Sequence, residues 1–305
     1  MKTKSQLLLS LILLLSCKHV GALRSGQLDQ DSHIKFSDKP EGNAAPTGNF
    51  NVVRDELSRP IPPFYSMEAF INEYKKDLTT FFDVYQPVLK KQGRILALKF
   101  HNHADPGYKF MTLIAPDSAN IYVNYSIPQR ELTGDAFTMA LCHEIGHVLG
   151  GYPLHSRSND LSFASAEGQA DYYSSLVCAR KLWSNDAKLN AQVRQDADPK
   201  AVELCSKAWS RPAEQNICVR SIVASKKVFE SISQMTLDIG VNSGEAGETT
   251  TDTYPDPQCR IESVVQGALC KLSYDVNLVT KEKNDIDKTS CMKGTGARAS
   301  CWFRD

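Results

Sequence analysis

The fold is decided by residues 132–150, which read LTGDAFTMALCHEIGHVLG. Apolar residues recur in this stretch with the period of a helix, Thr133 can cap its start, and the Gly-Gly pair at 150–151 lets the chain turn back. His143 and His147 are four residues apart, so on such a helix they lie on one face, one turn apart. Two histidines at this spacing can share one tetrahedral metal ion.

Three acidic residues complete the predicted constellation. Glu144 is rotated by about 100° from His143 on the helix, so it cannot easily join the ligands, but it can reach a water held by the metal, which is the position of a general base. The best candidate for a third ligand is Glu167, in the sequence Glu-Gly-Gln-Ala-Asp. Asp171, one helical turn further, is expected to accept the free ring N–H of a ligand histidine.

Other histidines are weaker candidates for the metal. His155 follows His147 by eight residues, but Tyr152 stands where a metzincin sequence has glycine, so we expect a loop histidine. His101 and His103 alternate along a predicted strand and could bind metal in principle. We expect this pair to be an exposed strand end.

The rest of the chain predicts an α+β fold. One helix is expected from Met67 to about Lys91, followed by three strands that precede the histidine helix. A turn at Asp105-Pro106-Gly107 is expected to join the first two strands as a hairpin, and the third to lie at the edge of the sheet. These strands are 95–101, 108–114 and 120–125, and the later helices are 164–183, 199–209, 213–234 and 257–270.

The start of the chain predicts export. Lys2 and Lys4 precede an apolar run that is too short to span a bilayer, which is typical of a signal peptide over 1–22. A lipoprotein signal over 1–16, with Cys17 as the lipidated residue and a membrane attachment, is an equal alternative. The polar residues 23–63 that follow are expected to be a tether or a prosegment.

Eight cysteines remain after Cys17, which in an exported protein predicts disulfides. Cys259 and Cys270 are eleven residues apart on one predicted helix, about 16 Å, which is too far for a bridge to each other. They are therefore expected to pair with Cys291 and Cys301, in either order.

The other four cysteines divide into two groups. Cys205 and Cys218 flank a predicted turn and are expected to pair with each other. Cys142 and Cys178 lie inside predicted helices close to the metal-binding residues, and we expect them to be buried free thiols, which behave as small hydrophobic side chains.

Residues 132–173 resemble the gluzincin metallopeptidases, whose signature is this histidine pair followed by Glu-x-x-x-Asp. The sequence Glu-Gly-Gln-Ala-Asp is close to the corresponding motif of the branch that contains CAAX prenyl proteases and envelope quality-control peptidases. That branch has a later Thr-His-Pro…Arg-Ile motif, which Thr253-Tyr254-Pro255 and Arg260-Ile261 resemble, with Tyr254 in place of the histidine. Tyr254 is therefore the leading candidate for a donor to the oxyanion, ahead of Tyr172 and Tyr173.

The resemblance implies a zincin-like metallopeptidase domain over 64–270 and a disulfide-bonded C-terminal extension over 271–305. It also implies one Zn²⁺ per chain, bound by His143, His147 and Glu167, with Glu144 as the general base.

The expected function is that of a secreted zinc metallopeptidase that acts on a peptide or protein substrate, in a bacterial cell envelope or outside the cell. A zinc-containing envelope lipoprotein with a binding or chaperone-like role and no turnover is the alternative, and a zinc hydrolase of cell-wall amide bonds is a third. The 35 basic and 35 acidic residues balance, which gives no reason to expect a nucleic-acid partner.

Overall fold

A computed structural model of the protein describes residues 52–54, 67–101, 110–125, 132, 134–155, 164–247, 249–251, 254–273, 275–278 and 282–304. The predicted signal peptide, Cys17, His103, Thr133, Thr253 and the Asp105-Pro106-Gly107 turn lie outside these residues. Within them the mixed α+β class is confirmed.

The sheet has four strands in the described residues, in the order β1-β2-β4-β3. The three predicted strands are present, and β1, a short strand within the predicted tether, adds a fourth that pairs with β2 in parallel. β2 also pairs with β4 in parallel, whereas β3 and β4 are antiparallel. Their bounds are β1 Val52–Arg54, β2 Ile95–His101, β3 Phe110–Ile114 and β4 Ser118–Asn124.

Two sequence predictions about this sheet are wrong. β2 and β3 do not form a hairpin, because β4 lies between them and β3 turns back onto β4 through a tight connection in which Ala115 N–H donates to the Ser118 carbonyl at 2.8 Å. β4 is not an edge strand either. It pairs with β2 on one side and with β3 on the other, and its alternate residues Ala119, Ile121 and Val123 are fully buried on one face. β3 is therefore the outer strand on this side.

Two helices stand where one was predicted over 67–91. α1 covers Met67–Glu73 and α2 covers Lys75–Lys91. The break falls at Tyr74, whose hydroxyl donates to the Leu132 carbonyl at 2.8 Å and whose ring packs 4.2 Å from that of Phe137. The break between α1 and α2 therefore falls at a residue whose aromatic side chain is buried in the core.

The histidine helix, α3, covers Gly134–Leu149 and runs through the core, with twelve of its sixteen residues buried. It packs against β3 and β4 on one side and against later helices on the other. α4 covers Glu167–Tyr173 and is entirely buried. It continues as a π-helical segment, Ser174–Ala179, and a last turn, Arg180–Leu182, which together match the helix predicted over 164–183.

The remaining helices close the core around α3 and α4. Those predicted over 199–209, 213–234 and 257–270 are confirmed to within a residue or so, and the sequence prediction missed one more, α5. Their bounds are α5 Ala187–Gln195, α6 Pro199–Ala208, α7 Pro212–Ser233, α8 Pro257–Leu269 and a 3-10 helix, Lys283–Lys288. In the described residues, no helix combines the length and the apolar character that crossing a membrane requires.

Four disulfides connect the helical part, which is consistent with an exported protein. The predicted bridge Cys205–Cys218 is confirmed. Cys259 and Cys270 pair with the two C-terminal cysteines, as expected, and the order that the sequence left open is Cys259–Cys301 and Cys270–Cys291. The prediction that Cys142 and Cys178 stay unpaired is wrong, because α3 and the π-helical segment pack side by side and bring their Cα atoms to 5.4 Å.

Residues 291–304, here called the C-terminal segment, pack against α4. The indole of Trp302 lies directly over Gly168, where an added Cβ would come within 2.2 Å of the ring. The Tyr172 hydroxyl donates to the Gly296 carbonyl at 2.7 Å, and Arg298 Nε donates to Gln169 Oε1 at 2.8 Å. This face of α4 is therefore held by the C-terminal segment.

Candidate metal centre

Three side chains converge to form a group that could hold a metal ion. His143, His147 and Glu167 each offer one ligand atom, and these atoms all lie within 4.8 Å of one another. The two Nε2 atoms are 3.1 Å apart, and Glu167 carboxylate oxygens lie 3.3 Å from His143 Nε2 and 3.7 Å from His147 Nε2. The structure thus brings together the three residues that the sequence analysis named as ligands.

A close approach of two backbones makes this convergence possible. α3 carries both histidines and α4 carries the glutamate, and the helices meet at Gly146. A Cβ added at Gly146 would lie 2.7 Å from the carbonyl oxygen of Ala170, closer than side chains come to backbone. Glycine at this position therefore sets the distance between the ligand-bearing helices.

Hydrogen bonds on the far side of each imidazole orient the rings. His147 Nδ1 is 2.8 Å from the Ser165 carbonyl oxygen, and His143 Nδ1 is 2.7 Å from Asp171 Oδ1. An N–H donated from Nδ1 leaves the Nε2 lone pair available for a metal. Asp171 thus lies where the sequence analysis expected a partner for a ligand histidine.

Arg260 is part of the centre, although the sequence analysis gave it no role beyond its place in the Arg-Ile motif. Its Nε and Nη2 donate to the two carboxylate oxygens of Asp171 at 2.8 and 2.9 Å. Nη2 also lies 3.4 Å from Glu167 Oε2. The guanidinium packs over the Phe229 ring, with 4.7 Å to its centroid. Arg260 therefore links both carboxylates of α4 to α8.

The buried charges shift each other's protonation. Burial opposes a charge on His143, but the Asp171 carboxylate and the neighbouring Glu167 carboxylate outweigh it and raise the pKa of His143 to about 10. Burial also opposes the charge on Glu167, yet His147, His143 and Arg260 hold the pKa of Glu167 well below its usual range. Without metal, the centre therefore holds a proton close to His143 at neutral pH.

One carboxylate oxygen provides an independent test of whether a metal fits. Glu167 Oε2 is buried, and in the described residues no donor meets it with the full geometry of a hydrogen bond, although His143 Nε2 and Arg260 Nη2 approach it to 3.3 and 3.4 Å. A buried polar atom without a hydrogen bond carries a cost that a bound cation would remove. Two imidazole nitrogens and one carboxylate oxygen are also a ligand set found in protein metal sites. The residues present therefore fit a metal ion.

Glu144 lies beside the ligands without belonging to them. It is three residues before His147, so the two are neighbours on the surface of α3. Its side chain is buried, and Oε2 accepts a hydrogen bond of 2.6 Å from the hydroxyl of Thr112 in β3. Thr112 was missed by the sequence analysis, because the alternation of a strand does not reveal which helix residue a side chain meets.

The three tyrosines and the loop histidine that the sequence singled out differ in how exposed they are and in what they contact. Tyr254 is 52% exposed, and its ring centroid lies 5.7 Å from the guanidinium carbon of Arg260. Tyr172 and Tyr173 are buried, and the Tyr172 hydroxyl is bonded to the C-terminal segment. His155 lies in a loop, with its ring stacked 5.9 Å from that of His147.

No family model, no curated protein and no solved structure matches this chain. The group formed by His143, His147 and Glu167 is compatible with a zincin-like motif.

Proposed function

We propose that this protein is an exported, zinc-dependent metallopeptidase of the gluzincin type. The observation that carries the proposal is a carboxylate that is not a ligand, Glu144, next to a converging triad of two histidines and one glutamate. A metal site with a purely structural role has no need of a free carboxylate at that position. The four disulfides favour export, with Cys17 as a possible point of lipid attachment.

Zinc is the metal that this ligand set favours. His143, His147 and Glu167 would hold the ion, and three protein ligands of nitrogen and oxygen type are the ligand set of catalytic zinc sites. With two neutral imidazoles and one carboxylate, the bound ion would keep a net charge of about +1. When bound, zinc supplies a Lewis acid and a water whose pKa is lowered to about 7.

The other steps are assigned to residues of the chain, which transfer the proton, orient the histidines and balance the buried charge. Glu144 accepts a proton from the attacking water and passes it to the leaving amine, as a general base and then a general acid. Asp171 and the Ser165 carbonyl keep the two histidines in the tautomer that exposes Nε2. Arg260 offsets the negative charge of Asp171, so that two buried carboxylates can lie near each other.

Tyr254 is the proposed donor to the oxyanion that develops on the substrate carbonyl. Its half-exposed ring lies over Arg260, the side chain that contacts Asp171 and Glu167. A residue at the rim of the centre, with a solvent-accessible ring, can reach a bound substrate.

The proposed substrate is an extended stretch of polypeptide. β3, and not β4, is the outer strand on the side of the described sheet that is opposite to β1, and it packs against the helix that carries both histidines. An outer strand offers backbone N–H and C=O groups to which an extended peptide can hydrogen-bond as an added strand. β3 thus replaces β4 as the proposed site of substrate pairing.

The test is Glu144→Gln in zinc-loaded protein, with the exposed Glu203→Gln as matched control. Zinc content and thermal stability should change little in either variant. Hydrolysis of an unfolded protein or a peptide library should fall about 10²- to 10⁴-fold in Glu144→Gln, because assisted proton transfer is lost, and stay unchanged in the control.

Other outcomes separate the alternatives. Zinc-loaded wild-type protein that cleaves no peptide, with Glu144→Gln changing no property, overturns the peptidase proposal and favours a zinc-containing binding protein. Release of fragments from cell-wall peptide cross-links, without cleavage of proteins, favours a cell-wall amide hydrolase. Addition and removal of a chelator establishes whether any activity depends on the metal.

A further inference from the structure

Thr112 interrupts an apolar row on β3. Side chains alternate along a strand, so Phe110, Thr112 and Ile114 lie on the same face. Phe110 and Ile114 pack against the main hydrophobic core, and the Phe110 ring lies 5.8 Å from that of Phe137 in α3. A hydroxyl between two apolar side chains, on the face that packs against α3, calls for a partner.

That partner is Glu144, through two contacts. Thr112 Oγ1 lies 2.6 Å from Oε2 of the Glu144 side chain and 3.1 Å from its backbone carbonyl oxygen. A hydroxyl has only one proton to donate. The shorter contact has the length of a hydrogen bond from a hydroxyl to an ionised carboxylate, so the proton is assigned to Oε2. The carbonyl contact is then secondary.

We propose that Thr112 is a positioning residue, whose hydroxyl holds one oxygen of Glu144 against β3 and so leaves the other oxygen facing the metal-binding side. The inference rests on the proposed function in taking Glu144 as the base.

The position of Thr112 on the outer strand gives this contact a second consequence. Thr112 is the middle residue of β3 and stands opposite Ile121 of β4 in the ladder. A peptide that pairs with the other edge of β3 would therefore be fixed in register by the same strand that holds the base. The base on α3 and the substrate backbone would then both be positioned by β3, which is the arrangement that proton transfer over a short distance requires.

The first experiment compares Thr112→Val with Thr112→Ser in zinc-loaded protein. Valine keeps the β-branched shape and removes the hydroxyl, whereas serine keeps the hydroxyl. We expect Thr112→Val to lower kcat about 10- to 100-fold, the usual effect of losing a partner that orients a catalytic group, with KM and zinc content nearly unchanged. Thr112→Ser should restore most of kcat.

Thr138→Val is the matched control, because Thr138 donates a hydrogen bond to the Gly134 carbonyl within α3. It should lower stability without lowering kcat. A Thr112→Val protein with wild-type kcat, or a Thr112→Ser protein as slow as Thr112→Val, overturns the inference.

The second experiment needs no activity. Thermal unfolding is measured for wild type, Thr112→Val, Glu144→Ala and the double variant. If the hydroxyl holds the side chain, Thr112→Val should lower Tm by about 2 to 4 °C more when Glu144 is present than in the Glu144→Ala background. Additive changes in Tm would mean that the hydroxyl serves only the backbone carbonyl.

The two failures are distinguishable. Absence of peptide hydrolysis by wild-type protein contradicts the proposed function and with it any catalytic role for Thr112. Additive Tm changes in a protein that does hydrolyse peptides contradict the role of Thr112 alone.

Discussion

At the scale of single residues, the two histidines of the candidate metal centre face different partners. His143 faces the buried carboxylate of Asp171, and this carboxylate is itself held by Arg260. His147 faces a neutral backbone carbonyl. A carboxylate stabilises a positive charge on imidazole far better than a carbonyl does, and the Asp171 carboxylate raises the pKa of His143.

This difference predicts that metal binding releases a proton. The pKa of His143 is raised to about 10, so in metal-free protein the ring is protonated at pH 8, and a metal at Nε2 must displace that proton. Zinc titrations followed by calorimetry, in two buffers with different enthalpies of ionisation, should show release of about one proton per zinc from His143 at pH 8, in addition to the proton lost by a zinc-bound water whose pKa is about 7. The part of the release that comes from His143 should decline as the pH rises through about 10. Equal heats in both buffers would contradict the prediction.

A second prediction concerns the carboxylate behind His143. Asp171→Asn should weaken zinc binding about 10- to 100-fold, because the amide cannot fix the tautomer and basicity of the ring as a carboxylate does. Competition with a chelator measures the change. Asp186→Asn is the matched control, since Asp186 also pairs with a buried arginine, Arg220, at 3.4 Å, but outside the metal centre. Equal zinc affinities in the two variants would show that Asp171 has only a structural role.

At the scale of elements, the packing of α3 on α4 is the feature most easily disturbed. A methyl group at Gly146 would lie 2.7 Å from the Ala170 carbonyl oxygen and 2.9 Å from its Cα. Gly146→Ala should therefore push the two helices apart, lower stability by about 1 to 3 kcal/mol, and weaken zinc binding, because the ligands sit on different helices.

Gly134→Ala is the control for this prediction. Gly134 begins the same helix, and its added Cβ would lie at an ordinary 3.4 Å from Asp77 Oδ2. Alanine favours a helix more than glycine does, so this variant should keep both stability and zinc affinity. Thermal unfolding with and without zinc compares the two variants, and similar behaviour would contradict the role given to Gly146.

What could be predicted from the sequence at this scale depends on the range of the interaction. The bounds of α3 and the spacing of His143 and His147 follow from local periodicity and from the glycine pair at 150–151, so they were predictable. The partners Thr112 and Arg260 lie on other elements, and no local pattern records which element they meet. The third ligand, Glu167, was predictable only because α4 repeats the four-residue spacing with Asp171.

Strand order and the fourth disulfide were missed for a related reason. A strand with one buried face shows the same alternation of side chains whether it has one neighbouring strand or two, so β4 was taken for an edge strand. Cys142 and Cys178 each lie on a buried helix face, which is also where free thiols are found. Their pairing depends on how α3 packs against the π-helical segment, and this is a tertiary contact.

At the scale of the whole molecule, two disulfides tie the C-terminal segment to α8, and the segment in turn supports α4. Double replacement of Cys259 and Cys301 by alanine should therefore speed the loss of zinc to a chelator, because Trp302 is no longer held over Gly168. A bridge of this kind contributes about 2 to 5 kcal/mol of stability.

Double replacement of Cys205 and Cys218 by alanine is the matched control. This bridge joins α6 to α7, in a separate hydrophobic cluster. It should cost stability while leaving the rate of zinc loss nearly unchanged at temperatures where the protein is folded. Equal acceleration of zinc loss in both variants would mean that the C-terminal segment has no special relation to the metal centre.

The position of the C-terminal segment also has a consequence for biosynthesis. A ribosome makes the chain from its amino end, so α3 and α4, with His143, His147 and Glu167, emerge before Cys291 or Trp302 has been added. A polypeptide from a messenger that is cut short after the codon for Leu269 would contain the three residues of the candidate metal centre and lack the C-terminal segment that packs against α4. We expect such a product to bind metal more weakly than the chain that carries this segment.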